Sequence, residues 1–300
     1  METLEQLRRR MEAFDDLAGI VHTMKSLAAV SVRQYERAAH SLAGYYRTVE
    51  LGLHVALRDL PLDSPKQEPK ALGAVVFGSD HGLCGRFNED LADYVRERLE
   101  EAADAGEVPR LIAVGARVRS LLENAGLPIQ EEMAVPGSAE SITHTVRRIL
   151  PTVDAWQNEA GGQRLYLFHN HPLSGSRYHP TGVQVLPVHS HRLHRLGEER
   201  WPSRSLPTYT MDRDLLLAAL LRQYFFVSIF RASAESLAAE NASRLAAMQA
   251  AEKNLAERRE DLLGEFRRRR QDAITAELLD IVSGYEASQW QDRDGGLPPL

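Results

Sequence analysis

Between Leu4 and Leu60 an apolar or aromatic residue recurs in alternating steps of three and four, with no proline to interrupt the run. The positions are Leu4, Leu7, Met11, Phe14, Ala18, Val21, Lys25, Ala28, Val32, Tyr35, Ala39, Leu42, Tyr46, Val49, Leu53, Ala56 and Leu60, and all but Lys25 are apolar or aromatic. That period of 3.5 residues keeps a seam facing one partner only if two helices supercoil with a left hand. At 1.5 Å per residue the span reaches about 85 Å. A second proline-free stretch from Met211 to Glu286 carries a seam through Val227, Phe230, Ala234, Leu237, Asn241, Leu245, Met248, Leu255, Leu262, Phe266, Ala273, Ile274, Ile281 and Tyr285. Unbroken, it would reach about 114 Å. Thr210 is its expected N-cap, with Asp212 and Asp214 in the positive first turn. Neither helix can bury its stripe against a domain only about 35 Å across. The economical solution is an antiparallel pair made by the two ends of the chain, with a globular insert between them. The alternative is a homodimeric coiled coil in which each helix pairs with its own copy.

The insert reads differently. Pro61, Pro65 and Pro69, with Asp63 and Ser64, mark a linker. Leu72 to Phe77 is then a short, continuous apolar run of the kind found in parallel strands buried on both faces. The pattern predicts a helix from Asn88 to Ala103, a strand from Leu111 to Val114, helices from Arg117 to Asn124 and from Ser141 to Trp156, and strands from Leu165 to Phe168 and from Val183 to Val188. Such alternation argues a small, Rossmann-like α/β domain. The expected division is thus a first coiled-coil helix at 1–60, an α/β domain at 61–209, a second coiled-coil helix at 210–287 and a flexible Gly/Pro tail at 288–300. His189 to Pro207 reads as a loop returning to the second helix.

Composition removes several classes of function. With 36 Lys and Arg against 42 Asp and Glu, the net charge of −6 disfavours nucleic acid, which requires clustered positive charge. Cys84 is the only cysteine, so no internal disulfide can form. The first residues lack the apolar core of a signal peptide. No apolar stretch comes near the roughly 20 residues that a membrane span needs.

Candidate chemistry is sparse. The loop Gly78 to Asn88, GSDHGLCGRFN, follows the first buried strand and precedes a helix, which is where nucleotide loops sit. Yet no Lys-Ser/Thr pair follows its glycines, the spacing is not GxGxxG, and Asp80 would repel a phosphate. The glycines read better as a tight strand-to-helix connection. Cys84 with His81 as its base lacks a third group to orient the histidine. His169, His171, His179, His189, His191 and His194 lie beside prolines, without an HExxH pattern, and read as solvated loop residues. No catalytic, cofactor or metal site is expected. The run Arg267 to Arg270 circles its helix, so at least one guanidinium should meet the seam or an acidic protein partner. Lys25, the one charge in the first seam, either snorkels outward or marks where the helices part.

Three blocks together carry a resemblance over nearly the whole chain. SDHGLCGRFN (Ser79 to Asn88) is similar to an SDRGLCGGFN-type motif, AESLAAENASRLAAMQAAEKN (Ala234 to Asn254) to an ASENAARMxAMxxATxNA segment, and RQDAITAELLDIVSG (Arg270 to Gly284) to an RQAAITxEIxEIVxG signature. On these residues the chain resembles the gamma subunits of F-type ATP synthases, the central rotor stalk. The resemblance implies a shaft of two antiparallel helices with an α/β foot, no chemistry of its own and no cofactor. It implies three alpha and three beta subunits, an epsilon subunit and a c-subunit ring as partners, and a peripheral location on the cytoplasmic face of a bacterial plasma membrane. It also implies that Met24, Lys25, Arg267, Arg268, Arg269, Arg270, Gln271 and Thr275 meet the beta subunits. Ser79, Asp80, Gly82, Leu83, Cys84, Gly85 and Asn88 would form a signature loop of the foot. The chain departs from the family where ITKAM becomes IVHTM at Ile20 to Met24, where Asp15 and Asp16 enter a usually basic stretch, and where YNRARQ becomes Phe266 to Gln271. With these departures the chain resembles an unusual branch of the family, similar to the sodium-translocating alternative type, although a gamma subunit does not decide the coupled ion. Two other functions remain for such a pattern, a coiled-coil tether with a globular head and a nucleotide-using enzyme on the middle domain.

Overall fold

A computed structural model describes residues 3–57, 71–102, 108–158, 163–187, 205 and 207–294, with side chains described as far as residue 284. The expected linker after Leu57, most of the His189 to Pro207 loop and the final residues lie outside that range. The chain divides into two compact units, Lys25–Ala247 and a second made of Met1–Met24 with Met248–Leu300.

In the first unit five strands form one sheet: β1 (Ala71–Phe77), β2 (Arg110–Val114), β3 (Ile129–Met133), β4 (Gln163–Pro172) and β5 (Tyr178–Leu186), in the order β3-β2-β1-β4-β5. All pairs are parallel except β4 with β5. Helices α2 (Phe87–Ala102), α3 (Ala116–Asn124) and α4 (Ala139–Asn158) connect the parallel strands. Alternation along β1 explains its unbroken apolar run. Leu72, Ala74 and Val76 face Leu91, Val95 and Leu99 of α2 and Val118 and Leu122 of α3. Val75 and Phe77 face Ile142, Val146 and Ile149 of α4 on the other side. Both faces are therefore dry, as in other parallel sheets. The edge strand β3 was not anticipated, because IQEEM is half polar and alternates between half-exposed and exposed residues until the buried Met133.

The two long helices are α1 (Leu4–Leu57) and α5 (Arg213–Asp294). In the first unit they pack antiparallel, since Tyr45 Oη donates to Gln223 Oε1 at 2.8 Å while Val49, Leu53 and Leu57 close on Leu217, Leu220, Leu221 and Tyr224. In the second unit Asp15 pairs with Arg259 at 2.6 Å and His22 meets Glu252 at 3.5 Å, again antiparallel. The helices thus pair within one chain, which decides against pairing each with its own copy. Every α1 seam position from Leu4 to Ala56 is buried or half-buried, while Leu17, Ile20, Leu27 and Val30, which lie off the seam, are exposed.

Four expectations that bear on α5 need correction. Its cap is Asp212, whose Oδ1 accepts from the amides of Asp214 and Leu215 at 3.0 and 3.2 Å, rather than Thr210. The helix continues to Asp294, past the end at 287 expected from the Gly and Pro content of the tail. Ala273, Ile274 and Ile281 are exposed rather than buried. The pairing of Asp15 with Arg259 sets Arg270 level with the start of α1, so the seam beyond it meets no second helix among the described residues. The early part of α5 also holds an 18-residue window of mean hydropathy 1.5, contrary to the expectation that no stretch is long and apolar enough to cross a membrane. Leu217, Leu220, Leu221, Tyr224 and Phe225 of that part pack against the apolar cluster made with α1.

Candidate functional site

Doubly wound sheets bind ligands outside the carboxyl ends of their strands, where successive connections leave on opposite faces. Here that place lies between β1 and β4, and the loop Gly78 to Asn88 starts from it. Its architecture follows from a few small and amide residues. The Ser79 amide donates to Asn88 Oδ1 at 2.9 Å, Asn88 Nδ2 donates to Ser79 Oγ at 2.8 Å, and Ser79 Oγ donates to the His81 carbonyl at 2.7 Å. Gly78 is required because a Cβ there would lie 2.3 Å from Val118 Cβ. Gly85 turns the chain with φ of 63°, and Leu83 adopts the same φ without being glycine.

Asp80 does not merely tolerate this loop; it ties two others to it. Its Oδ1 accepts from the Ala116 amide at the start of α3 and its Oδ2 from the Val135 amide, both at 3.0 Å. A carboxylate at a helix N-terminus is also favoured by the helix dipole. The acidic residue that argued against a phosphate thus takes the position that an anion would take.

α5 fills the remaining space. Ser236 Oγ donates to the Phe77 carbonyl at the end of β1, and Ser243 Oγ donates to the Cys84 carbonyl, each at 2.6 Å. Arg244 Nη2 lies 3.5 Å from the carbonyls of both His81 and Gly82. Cys84, Phe87 and Ala239 form a small buried cluster against Tyr178. The loop groups that could have held a nucleotide are spent on this helix, so the geometry gives the nucleotide-enzyme reading no support. Cys84 is fully buried, and burial pushes its thiol up despite the hydrogen bond with Ser79 that works the other way. Its Sγ faces the His81 carbonyl at 3.7 Å rather than the imidazole, which removes the nucleophile-base pair.

Two buried acids on α5 hold it in place. Burial raises Glu240 above the ordinary carboxylate range although Arg244 pulls it down across a 2.7 Å ion pair. Glu235 is the opposite case. Burial opposes its charge, yet hydrogen bonds from His169, Arg231 and His171 outweigh that and hold its carboxyl down to about 2. His169 and His171 therefore lie on β4 and meet α5, correcting their assignment to solvated loops; His179 is exposed on β5, and His189, His191 and His194 lie outside the described residues. An alternating His-x-His at the end of an apolar strand was the available signal, masked by the neighbouring prolines.

The signature loop is thus brought together around Ser79, Asp80, Cys84 and Asn88, with Gly82 and Leu83 exposed at its tip. The other candidates are spread along the helices. Met24 and Lys25 are half-buried on α1. Arg267, Arg268, Arg270, Gln271 and Thr275 are exposed on α5, and Arg269 alone in the run is half-buried, as a run that circles the helix requires. Thr275 Oγ1 returns to the Gln271 carbonyl at 2.9 Å.

Comparison with known proteins agrees with this architecture. The model of the ATP synthase family matches residues 3–287. The ATP synthase gamma chain of Syntrophus aciditrophicus is 30% identical over 295 residues, covering 96% of this chain and 99% of that one. The ATP synthase gamma chain of Sulfurovum sp. is 26% identical, covering 96% and 99%. Among solved structures, a chain in the OSCP/F1/c-ring structure of the Euglena gracilis mitochondrial ATP synthase superposes with a TM-score of 0.65 at 18% identity, over 99% of this chain and 98% of that one. A chain in the rotor of the same organism's enzyme gives 0.62 at 16% identity, over 90% and 98%. With the loop, the paired helices and the full-length match in agreement, the chain belongs to the gamma-chain family of ATP synthases.

Proposed function

We propose that this chain works as the central rotor shaft of an F-type ATP synthase, passing torque between a membrane c-ring and the catalytic alpha and beta subunits. It makes and breaks no bond itself. The observation that carries the reading is the full-length match to gamma chains, 96% of this chain against 99% of the relative, on a fold in which the two chain ends pair antiparallel.

A shaft transmits work only if its contacts differ from one angle to the next, because a partner bound equally well at every angle shifts no equilibrium. The exposed end of α5 suits that task. Arg267, Arg268, Arg270 and Gln271 are free of the fold's core and reach outward as charge and hydrogen-bond donors toward acidic loops of the beta subunits. Met24, Lys25, Arg269 and Thr275 complete the contact set. Residues 1–60 and 210–287 serve as the shaft and 61–209 as the foot, where an epsilon subunit and the c-ring bind. Three alpha and three beta subunits surround the shaft. Packing of Leu217, Leu220, Leu221, Tyr224 and Phe225 against α1 supports a peripheral subunit, placed on the cytoplasmic face of a bacterial membrane.

The test is to assemble the chain with alpha and beta subunits and follow ATP-driven rotation. Rotation of the wild-type assembly is expected, and failure to assemble or to rotate would overturn the reading. In Arg270→Ala/Gln271→Ala the folded chain should be unchanged and turnover of the complex lowered. Unchanged turnover would remove these two residues from the contact set while leaving the shaft.

A further inference from the structure

The hydrogen-bonded loop, the arginine run and the exposed end of α5 are absorbed by the reading above; the two histidines at the end of β4 and the acid of α5 that they meet are not. Because side chains alternate along a strand, His169 and His171 project from the same face of β4. That face meets α5 at Glu235. His169 Nε2 lies 2.9 Å and His171 Nδ1 2.8 Å from the same oxygen, Glu235 Oε2. The three donor atoms all fall within 4.8 Å of one another. Glu235 Oε1 is engaged separately by Arg231 Nε at 2.7 Å.

We propose that His169 Nε2, His171 Nδ1 and Glu235 Oε2 are the protein ligands of a divalent transition ion of the zinc class. The inference does not depend on the rotor function. Two imidazoles with one carboxylate form a borderline donor set, suited to zinc and its first-row neighbours rather than to magnesium or calcium. Depth and opening are both present. The side chains of His169 and Glu235 are 6% and 10% exposed, whereas that of His171 is 42% exposed. Beside them is a cavity of about 270 Å³, also lined by Tyr46, Thr181, Ser228 and Arg231. Its polar lining has room for the water ligands that complete a site with three protein donors.

The supports are those of a held ligand set. Arg231 orients the carboxylate through the oxygen that does not ligate. Ser236, the next residue, pins the helix backbone to the end of β1. One feature limits affinity. Ligation through Nε2 places the His169 proton on Nδ1, which has no partner among the described residues, at a cost of roughly ten- to a hundredfold in binding. The occupied site would clamp β4 to α5.

The full-length chain, stripped with a chelator, is titrated with cobalt(II) as a coloured probe and then with zinc(II) as a competitor. One equivalent of cobalt with visible ligand-field absorption is expected, displaced stoichiometrically by zinc, and zinc should raise the midpoint of thermal unfolding. Glu235→Gln keeps the shape of the side chain and His171→Ala removes a half-exposed ring, so each tests the site if His169→Ala fails to fold. Both should weaken binding more than about a hundredfold, with folding verified by circular dichroism, whereas His144→Ala on the exposed face of α4 should bind as the parent does. Absence of the cobalt band in the parent chain, or its persistence in Glu235→Gln and His171→Ala, would overturn the proposal.

Discussion

Two stretches of the one helix α5 meet opposite fates, the first rich in small residues and the second heavily charged. From Ile229 to Ser243 every residue except Arg231 is buried, against the sheet, the signature loop and α1. From Gln249 to Gly284 only Leu262 is buried, and the cross-helix contacts include exposed charge pairs. The first stretch is nevertheless rich in Ala, Ser, Asn and Glu rather than in leucine. Close approach from several sides demands small residues, and most of the buried polar side chains there are hydrogen-bonded, Ser233 Oγ being an exception among the described residues. Ser236 bonds to the Phe77 carbonyl at the end of β1, Ser243 to the Cys84 carbonyl of the loop, and Glu235 to His169, His171 and Arg231. Alanine in the second stretch faces water and suits a helix only through its propensity.

The sharpest way to break this contrast is volume. Ala234 is fully buried, so Ala234→Leu should destabilise the chain by about 1–3 kcal/mol or more through overpacking. Ala256→Leu, on the exposed stretch, should stay within about 0.5 kcal/mol. Urea unfolding of the two variants measures both, and equal losses would mean that the stretches do not differ as described.

Next in size are the hydrogen bonds that tie the loop to the helix. Ser236→Ala removes the hydrogen bond to the Phe77 carbonyl and should cost about 0.5–1.5 kcal/mol. Ser243→Ala releases the Cys84 carbonyl, and its clearest readout is faster modification of the Cys84 thiol by an aromatic disulfide reagent. A thiol that stays as slow as in the parent would show that Ser243 does not hold the loop closed.

The buried acid Glu240 sharpens the comparison through pH. Its folded value is raised by burial against the pull of Arg244, with Asp80 raising it further and His81 lowering it. The folded chain therefore keeps this proton to higher pH than the unfolded chain does. The resulting stability is present in full below the unfolded value of about 4.3 and is lost as pH rises through the raised folded value. Glu240→Gln should remove that part of the decline in unfolding free energy as pH rises above about 4.3. Parallel pH profiles for variant and parent would contradict it.

The smallest effect belongs to the exposed stretch. Asp15 and Arg259 are each about half exposed, so Asp15→Asn should cost at most about 1 kcal/mol, shrinking further in high salt. A loss above that range would mean that this pair, and not the apolar seam, holds its part of the helices together.

Legibility followed the source of each constraint. The α1 seam could be read position by position, because a repeat of 3.5 residues has one buried solution, and Lys25 is half-buried where the pattern placed it. The same reasoning failed for Ile274 and Ile281, since a seam describes a surface and not whether a partner helix is long enough to cover it. Strand β3 escaped because an edge strand carries no continuous apolar run. Asp80 was read by charge as hostile to phosphate, while its role in joining α3 and the Val135 segment depends on amides 36 and 55 residues away.

The sequence by itself determined two long amphipathic helices, a middle domain of alternating buried strands and helices, and membership in a family through three separated motifs. Those properties are local or periodic, and they are set by which residues repel water and at what interval. Only the tertiary structure decided that α5 closes the crevice of the sheet, and that His169, His171 and Glu235 converge on one point. Such convergence depends on the register between β4 and a helix more than sixty residues further along the chain, which neither periodicity nor composition encodes.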